Sequence, residues 1–148
     1  MKVISKILSL LIFSLICQEA FAQSKPDSLK LSKDISVFLG AYSKATTTID
    51  TIWLKTNLAD SFQYSDPLNY NLNRADYIAL YSKGVYKISK AEASIHKIRW
   101  IKNQTQVLVM SDIQGDANGQ AVSGTYPFIF KLEPKDKSYK IRSIEVSQ

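Results

Sequence analysis

The sequence predicts an α+β domain in which three helices precede an antiparallel sheet. In the first half of the chain, apolar residues recur at spacings of three and four, as on one face of a helix. From Val85 onward, long segments rich in Val, Ile, Tyr, Phe and Thr alternate with turn residues and leave no room for another substantial helix. A run of helices followed by a run of strands is typical of the α+β class.

The N-terminus has the pattern of a secretory signal peptide. Lys2 and Lys6 precede an apolar run, and Ala20-Phe21-Ala22 supplies small residues for cleavage. We therefore expect residues 1–22 to be removed and residues 23–148 to form a single exported domain, periplasmic or extracellular. The apolar run is too short for a spanning helix, so we expect no membrane span.

The only cysteine, Cys17, lies at the end of this apolar run. Its position allows a second interpretation, a lipoprotein anchored through Cys17. Ile16 argues against this, because a β-branched residue fits the lipoprotein-processing site poorly. Cleavage after Ala22 leaves a mature chain without thiols, which excludes disulfides, thiolate catalysis and cysteine-bound zinc.

The charge is mildly basic, with a formal net charge of +6 for the whole chain. The lysines are scattered, and the only arginines are Arg74, Arg99 and Arg142. A nucleic-acid surface would have clustered arginines with exposed aromatic residues. We therefore expect solvated surface charges and no nucleic-acid partner.

The first helix is predicted by an apolar face whose members are Leu31, Ile35, Phe38, Leu39, Tyr42 and Ala45. Asp27 or Ser28 is suited to cap its start, and the β-branched run of residues 46–48 is suited to its end. A second helix follows directly. Asp50 is its predicted N-cap, with Ile49 and Leu54 placed to form a hydrophobic staple.

A short hairpin and a third helix follow. Phe62-Gln63-Tyr64 and the alternating residues Leu68, Tyr70 and Leu72 flank the turn Ser65-Asp66-Pro67. Asn73 is the predicted N-cap of the third helix, and Gly84 is its predicted end.

Four long strands complete the chain, with predicted bounds Val85 to Ile101, Gln106 to Ile113, Gln120 to Leu132 and Ser138 to Val146. The apolar phase shifts within the first of them, between Ile95 and Ile98. Such a shift predicts a bulge or a strong bend in this strand.

This order of elements resembles the nuclear transport factor 2-like superfamily, including its polyketide cyclase-like, ketosteroid isomerase-like and exported uncharacterised members. The resemblance covers nearly all of the mature chain. It is carried by the element order, by the helix-to-strand transition from Trp53 to Tyr64, and by two closing segments, Gly124-Thr-Tyr-Pro-Phe-Ile-Phe and Tyr139-Lys-Ile-Arg-Ser-Ile. It implies three helices packed in the concavity of a strongly bent, mainly antiparallel sheet.

The resemblance also implies an apolar cavity at the open end of a cone, and a homodimer formed through the outer face of the sheet. A small apolar or amphiphilic molecule is the ligand we expect, because such cavities are the default ligand sites of a fold. The aromatic residues predicted to bind it are Tyr42, Trp53, Phe62, Tyr64, Tyr77, Trp100 and Tyr126.

Catalysis is the alternative to simple binding. Family enzymes place a Tyr, Asp or His in the cavity, and the candidates here are Asp66, Tyr64 and His96. For Asp66 the competing interpretation is a turn in which the carboxylate bonds its own backbone. For His96 a structural or surface role is the interpretation we favour, because it is a single histidine flanked by Ile95 and Lys97. Since these residues form no recognisable acid–base motif, we expect the domain to bind a small ligand or a protein partner through the cavity, rather than to act as a cofactor-independent isomerase, cyclase or dehydratase. A third interpretation is an accessory or dimerisation module whose cavity is filled by side chains.

Neither a metal nor a cofactor is predicted. One histidine and no mature thiol are too few for a zinc site. Asp112, Asp116 and Asn118 have a spacing that suggests calcium, but the loop lacks the glycine and glutamate positions of an EF-hand. Gly115 and Gly119 lack the lysine and helix of a phosphate loop.

Overall fold

The computed structural model describes residues 28–67 and 70–147. The chain divides into two compact units, Met1–Leu31 and Ser32–Gln148. Only residues 28–31 of the first unit are described, and they form the first turn of a helix. The predicted signal peptide, Cys17, the candidate cap Asp27 and Leu68 lie outside the described residues.

The described part of the chain forms three helices and six strands. The helices are α1 (Ser28–Thr47), α2 (Thr51–Asn57) and α3 (Arg74–Ser82). The strands are β1 (Leu58–Ser65), β2 (Asn71–Asn73), β3 (Tyr86–Ile101), β4 (Gln104–Ala117), β5 (Gln120–Lys135) and β6 (Ser138–Val146). The predicted α+β class is confirmed, with the three helices packed against one mixed, open sheet.

The sheet has the strand order β2-β1-β6-β5-β4-β3. Strands β3 to β6 form the predicted antiparallel meander, and the short β1–β2 hairpin joins it through a parallel pairing of β1 with β6. This pairing makes six strands continuous where the sequence predicted a meander of four and a separate hairpin. No local sequence pattern predicts the pairing of β1 with β6, because the two strands are far apart in the chain.

Both predicted helix caps are present. Asp50 Oδ1 accepts a hydrogen bond from the Trp53 N–H at 2.9 Å, and Asn73 Oδ1 accepts one from the Asp76 N–H at 3.0 Å. Each bond satisfies a backbone donor that the first turn of a helix leaves free. Helix α1 ends in the predicted threonine run, where the Thr48 hydroxyl donates to the Lys44 carbonyl at 2.8 Å.

The sheet is irregular where the sequence predicted it. In β3 the pairing register shifts between Ile88 and Lys90 and again between Ile95 and Lys97. Bulges of this kind bend a strand and increase its twist. Residues of β3, β4 and β5 lie on the same side of the sheet as helices α1 and α3. Together with the helices, these residues can enclose a space.

The core lies between the helices and the inner face of the sheet. Its fully buried side chains are Ile35, Leu39, Leu54, Leu58, Phe62, Tyr77, Val107, Val109, Leu132, Ile141 and Ile144. Along β4, buried Val107 and Val109 alternate with half-buried Leu108 and Met110, as expected for a strand with one covered face. No helix among the described residues is long and apolar enough to cross a bilayer.

Candidate functional site

A cavity of about 440 Å³ lies between the helices and the inner face of the sheet. Helices α1 and α3 supply one wall, and strands β1 and β3 to β6 supply the other. Its aromatic lining residues are Tyr42, Tyr64, Tyr77, Tyr81, Tyr86, Tyr126, Phe128 and Phe130. The volume is within the range of about 300 to 1,000 Å³ that is usual for small-molecule sites.

Three phenols, Tyr42, Tyr77 and Tyr81, form a hydrogen-bonded group that we call the tyrosine cluster. The Tyr77 hydroxyl bonds the hydroxyl of Tyr42 and, at 3.1 Å, that of Tyr81. Burial raises the pKa of all three phenols, that of Tyr81 to about 12. At neutral pH each hydroxyl is therefore protonated. The two hydrogen bonds within the cluster use two of its three protons, so one O–H remains to donate to a polar group in the cavity.

Two further tyrosines extend this cluster toward a carboxylate. The Tyr64 ring lies 5.3 Å from that of Tyr77, and the Tyr86 ring lies 5.9 Å from that of Tyr81. Burial, and then neighbouring charges that include Asp66, raise the pKa of both Tyr64 and Tyr86. Asp66 is half-buried and also lines the cavity, so one carboxylate faces the aromatic wall.

The rest of the wall is apolar and small. Ile88, Ala91 and Ala93 of β3 lie beside Ile113 of β4 and Val122 of β5 on the same face of the sheet, and all five line the cavity. Alanine at two of these positions leaves space that larger side chains would fill. None of the described residues that line the cavity is Lys, Arg or His.

Five of the predicted site residues lie in the cavity wall: Tyr42, Tyr64, Tyr77, Tyr126 and Asp66. Within Ser65-Asp66-Pro67, Asp66 also does what the turn interpretation expected, since Oδ1 accepts the Tyr70 N–H at 3.1 Å. Both interpretations of Asp66 are therefore compatible with its position.

Three predicted aromatic residues lie outside the wall. Phe62 is fully buried behind Tyr77, with ring centroids 5.0 Å apart. Trp53 does not line the cavity but packs behind its wall, with its ring 5.6 Å from that of Phe38 and 6.3 Å from that of Tyr42. Trp100 is 47% exposed near the distal end of β3, opposite Thr105. Alternation assigns a residue to a face of the sheet, but the cavity occupies only part of that face.

His96 is not brought near Asp66 or Tyr64. It is exposed and lies at the second bulge of β3, between paired Ile95 and Lys97, outside the cavity wall. A bulge leaves one residue of the strand unpaired and redirects its side chain, so the alternation read from neighbouring residues does not hold at His96. The imidazole is therefore not available to chemistry in the cavity.

Tyr81 and Tyr86 are wall residues that were not among the predicted ligand contacts. A signal for Tyr81 was present, because it lies four residues after Tyr77 and thus on the same helix face. Tyr86 follows the Gly84 turn, where φ is +69°, and this turn brings the start of β3 back toward α3. The return of the chain at Gly84 cannot be deduced from periodicity alone.

A second cavity, of about 580 Å³, lies between α2, α3 and β1. Arg74 is one of its lining residues, and its guanidinium pairs with Asp60 at 2.5 Å and also donates to the Lys55 carbonyl. Two of its terminal N–H groups are thereby used, and no described lining residue is aromatic, so the aromatic cavity is the better candidate site.

No protein-family model matches the chain, and no curated protein matches it. Solved structures do. An NTF2-like protein from Cytophaga hutchinsonii is 19% identical with a TM-score of 0.68, covering 83% of this chain and 98% of its own. An NTF2-like protein of unknown function in nutrient uptake from Rhodospirillum rubrum is 22% identical with a TM-score of 0.70, covering 77% and 97%.

A third similar structure, assigned as a calcium/calmodulin-dependent kinase II association domain from Exiguobacterium sibiricum, is 10% identical with a TM-score of 0.68, covering 83% of this chain and 95% of its own. At these identities the likeness is one of fold, and one fold hosts many functions. The resemblance inferred from the order of elements is confirmed at that level: the chain has the nuclear transport factor 2-like fold.

Proposed function

We propose that the chain is an exported domain that binds one small amphiphilic molecule in its aromatic cavity. The observation that carries this proposal is the division of the cavity wall. One part is apolar, around Ile88, Ile113 and Val122, and the other carries the hydroxyls of the tyrosine cluster. A ligand with an apolar body and one polar group complements both parts.

The proposal is tested by closing the cavity. The probe is prodan, a neutral fluorescent naphthalene with one carbonyl oxygen, whose emission shifts to the blue in apolar surroundings. Ala93→Phe places a ring in the cavity and is expected to weaken prodan binding at least tenfold. Ser94→Phe, on the opposite face of the same strand, is the matched control. Equal binding by both variants would contradict the proposal.

The polar part of the site is tested separately. Tyr42→Phe removes a half-buried hydroxyl at one end of the tyrosine cluster. It is expected to weaken prodan binding about fivefold, the effect of one hydrogen bond of about 1 kcal/mol. Tyr139→Phe removes a hydroxyl outside the cavity wall and is expected to leave the affinity unchanged. Native mass spectrometry of the purified protein would identify a ligand that co-purifies.

A cofactor-independent isomerase, cyclase or dehydratase is the second candidate, and the position of Asp66 in the wall favours it. A carboxylate can remove a proton from a carbon beside a carbonyl group, while a neutral phenol donates a hydrogen bond to the oxygen. The protein would then exchange the α-hydrogens of a bound cyclic ketone with D₂O. If Asp66 is the base, Asp66→Asn abolishes this exchange. If the unchanged protein exchanges the hydrogens no faster than solvent does, binding is the function.

Export and self-association complete the proposal. The leader pattern of residues 1–22 supports export, which is tested by N-terminal sequencing of the secreted protein, with Gln23 expected as the first residue.

An apolar group on the outer face of the sheet, where Leu108 pairs with Ile129 and Met110 with Pro127, supports a homodimer. Light scattering of the purified protein measures its mass.

A further inference from the structure

The charge of the cavity wall is opposite to that of the chain. The chain carries 19 Lys and Arg against 13 Asp and Glu. The described residues of the wall include no basic side chain, and their one carboxylate is Asp66. A negative group facing an otherwise neutral cavity favours a positive ligand and disfavours a negative one. The surface lysines act on such a ligand weakly, because salt screens charges over about 8 Å.

The aromatic lining also suits a cation. Tyr42, Tyr64, Tyr77, Tyr81, Tyr86 and Tyr126 all line the cavity. The face of an aromatic ring attracts a cation that lies within about 6 Å of its centre. The rings of Tyr77 and Tyr81 meet at 68° and those of Tyr81 and Tyr86 at 87°, so neighbouring faces point in different directions. Rings set at such angles can contact one rounded group from several sides.

We propose that the ligand is an organic cation, an alkylated ammonium group on an apolar body, held by the rings around Tyr86 and by the charge of Asp66. This proposal rests on the proposed binding function. It names the chemical class of the ligand.

Alkylation matters because of hydration. A primary ammonium group donates three hydrogen bonds and is strongly hydrated, so transferring it from water into the cavity costs more than transferring an alkylated ammonium group. A quaternary ammonium group has no N–H, and its methyl groups fit against ring faces. The remaining cost of burying its charge is offset by Asp66, which is half-buried beside Tyr64 and Tyr86.

The test uses three probes that share a benzyl group and a tetrahedral head: benzyltrimethylammonium, neopentylbenzene and phenylmethanesulfonate. Their affinities are measured by displacement of prodan from the full mature protein. The cation is expected to bind at least tenfold more tightly than the neutral probe and the anion. Equal or tighter binding of either other probe overturns the proposal.

The outcomes also separate the two proposals. If prodan binds and the cation does not displace it, the cation proposal fails and the binding function stands. If prodan does not bind, the three probes are titrated directly by isothermal titration calorimetry, and if none of them binds either, both proposals fail.

Variants then identify the groups responsible. Asp66→Asn keeps the acceptor for the Tyr70 N–H and removes the charge. It is therefore expected to weaken binding of the cation three- to tenfold and to leave the affinity for the neutral probe unchanged. Asp112→Asn makes the same charge change on the exposed face of β4, between wall residues Ser111 and Ile113, and is the control. Tyr86→Leu removes a ring and is expected to cost more cation affinity than Tyr86→Phe, which keeps it. Equal losses in Asp66→Asn and Asp112→Asn contradict the assignment of Asp66.

Discussion

Replacing Phe62 by alanine is expected to lower the free energy of unfolding by about 3 to 5 kcal/mol. Phe62 is fully buried in β1, and its ring contacts that of Tyr77 at 5.0 Å. The substitution removes the transfer free energy of a large apolar side chain and leaves a cavity that its neighbours fill only in part. The loss is a large share of the roughly 5 to 15 kcal/mol that stabilise a typical domain.

Thermal unfolding followed by circular dichroism checks this expectation. The melting temperature is expected to fall by roughly 10 to 20 °C. Ile52→Ala is the control, because Ile52 is 77% exposed and its truncation is expected to change stability by less than about 0.5 kcal/mol. The fall in melting temperature for Phe62→Leu is expected to lie between those for Phe62→Ala and Ile52→Ala. A shift for Phe62→Ala as small as that for Ile52→Ala would contradict the burial of Phe62.

Raising the pH from 8 to 11 is expected to lower the free energy of unfolding by roughly 4 kcal/mol through the tyrosine cluster. Burial raises the pKa of Tyr42, Tyr77 and Tyr81 in the folded state, whereas in the unfolded chain tyrosine ionises near its usual pKa of about 10. Above pH 10 the unfolded chain therefore binds fewer protons than the folded protein.

Stability must then fall as the pH rises, by about 1.4 kcal/mol for each of these tyrosines at one unit above the unfolded pKa. For Tyr81 the loss levels off above its folded pKa of about 12. Below pH 10 both states keep the proton, and the contribution of the three phenols to stability does not change with pH.

Urea unfolding at pH 8 and pH 11 measures this difference. In Tyr77→Phe one of the three phenols is absent, so the loss of stability between the two pH values is expected to be smaller than in the unchanged protein. Tyr70→Phe removes a phenol that is 58% exposed and serves as the control. An equal loss in Tyr77→Phe and in the unchanged protein would show that the cluster does not cause the pH dependence.

How much of the site could be predicted differs from residue to residue. Tyr42 and Tyr77 lie on apolar helix faces, so their inward orientation follows from spacing alone. Tyr126 lies on a strand, where alternation gives its face. The same rules applied to Trp100 and His96 do not place them in the cavity, because the cavity occupies part of one face and a bulge interrupts the alternation at His96.

The local structure could be predicted from residues close together in the sequence. The helix caps at Asp50 and Asn73, the end of α1 in a threonine run and the irregular strand β3 all depend on side chains and backbone groups within a few residues of one another. Such interactions form in the same way wherever the segment lies, so residue type and spacing are sufficient to predict them.

Which residues share the cavity depends on the packing of elements that are distant in the chain. The parallel pairing of β1 with β6 places Tyr64 next to Ile144, 80 positions later in the chain. The meeting of Tyr42 with Tyr77, and of Asp66 with Tyr86, likewise depends on how distant elements pack. These contacts form when the whole core is buried, which is a cooperative process that no single segment can specify. They bring together the phenols and the carboxylate that define the site.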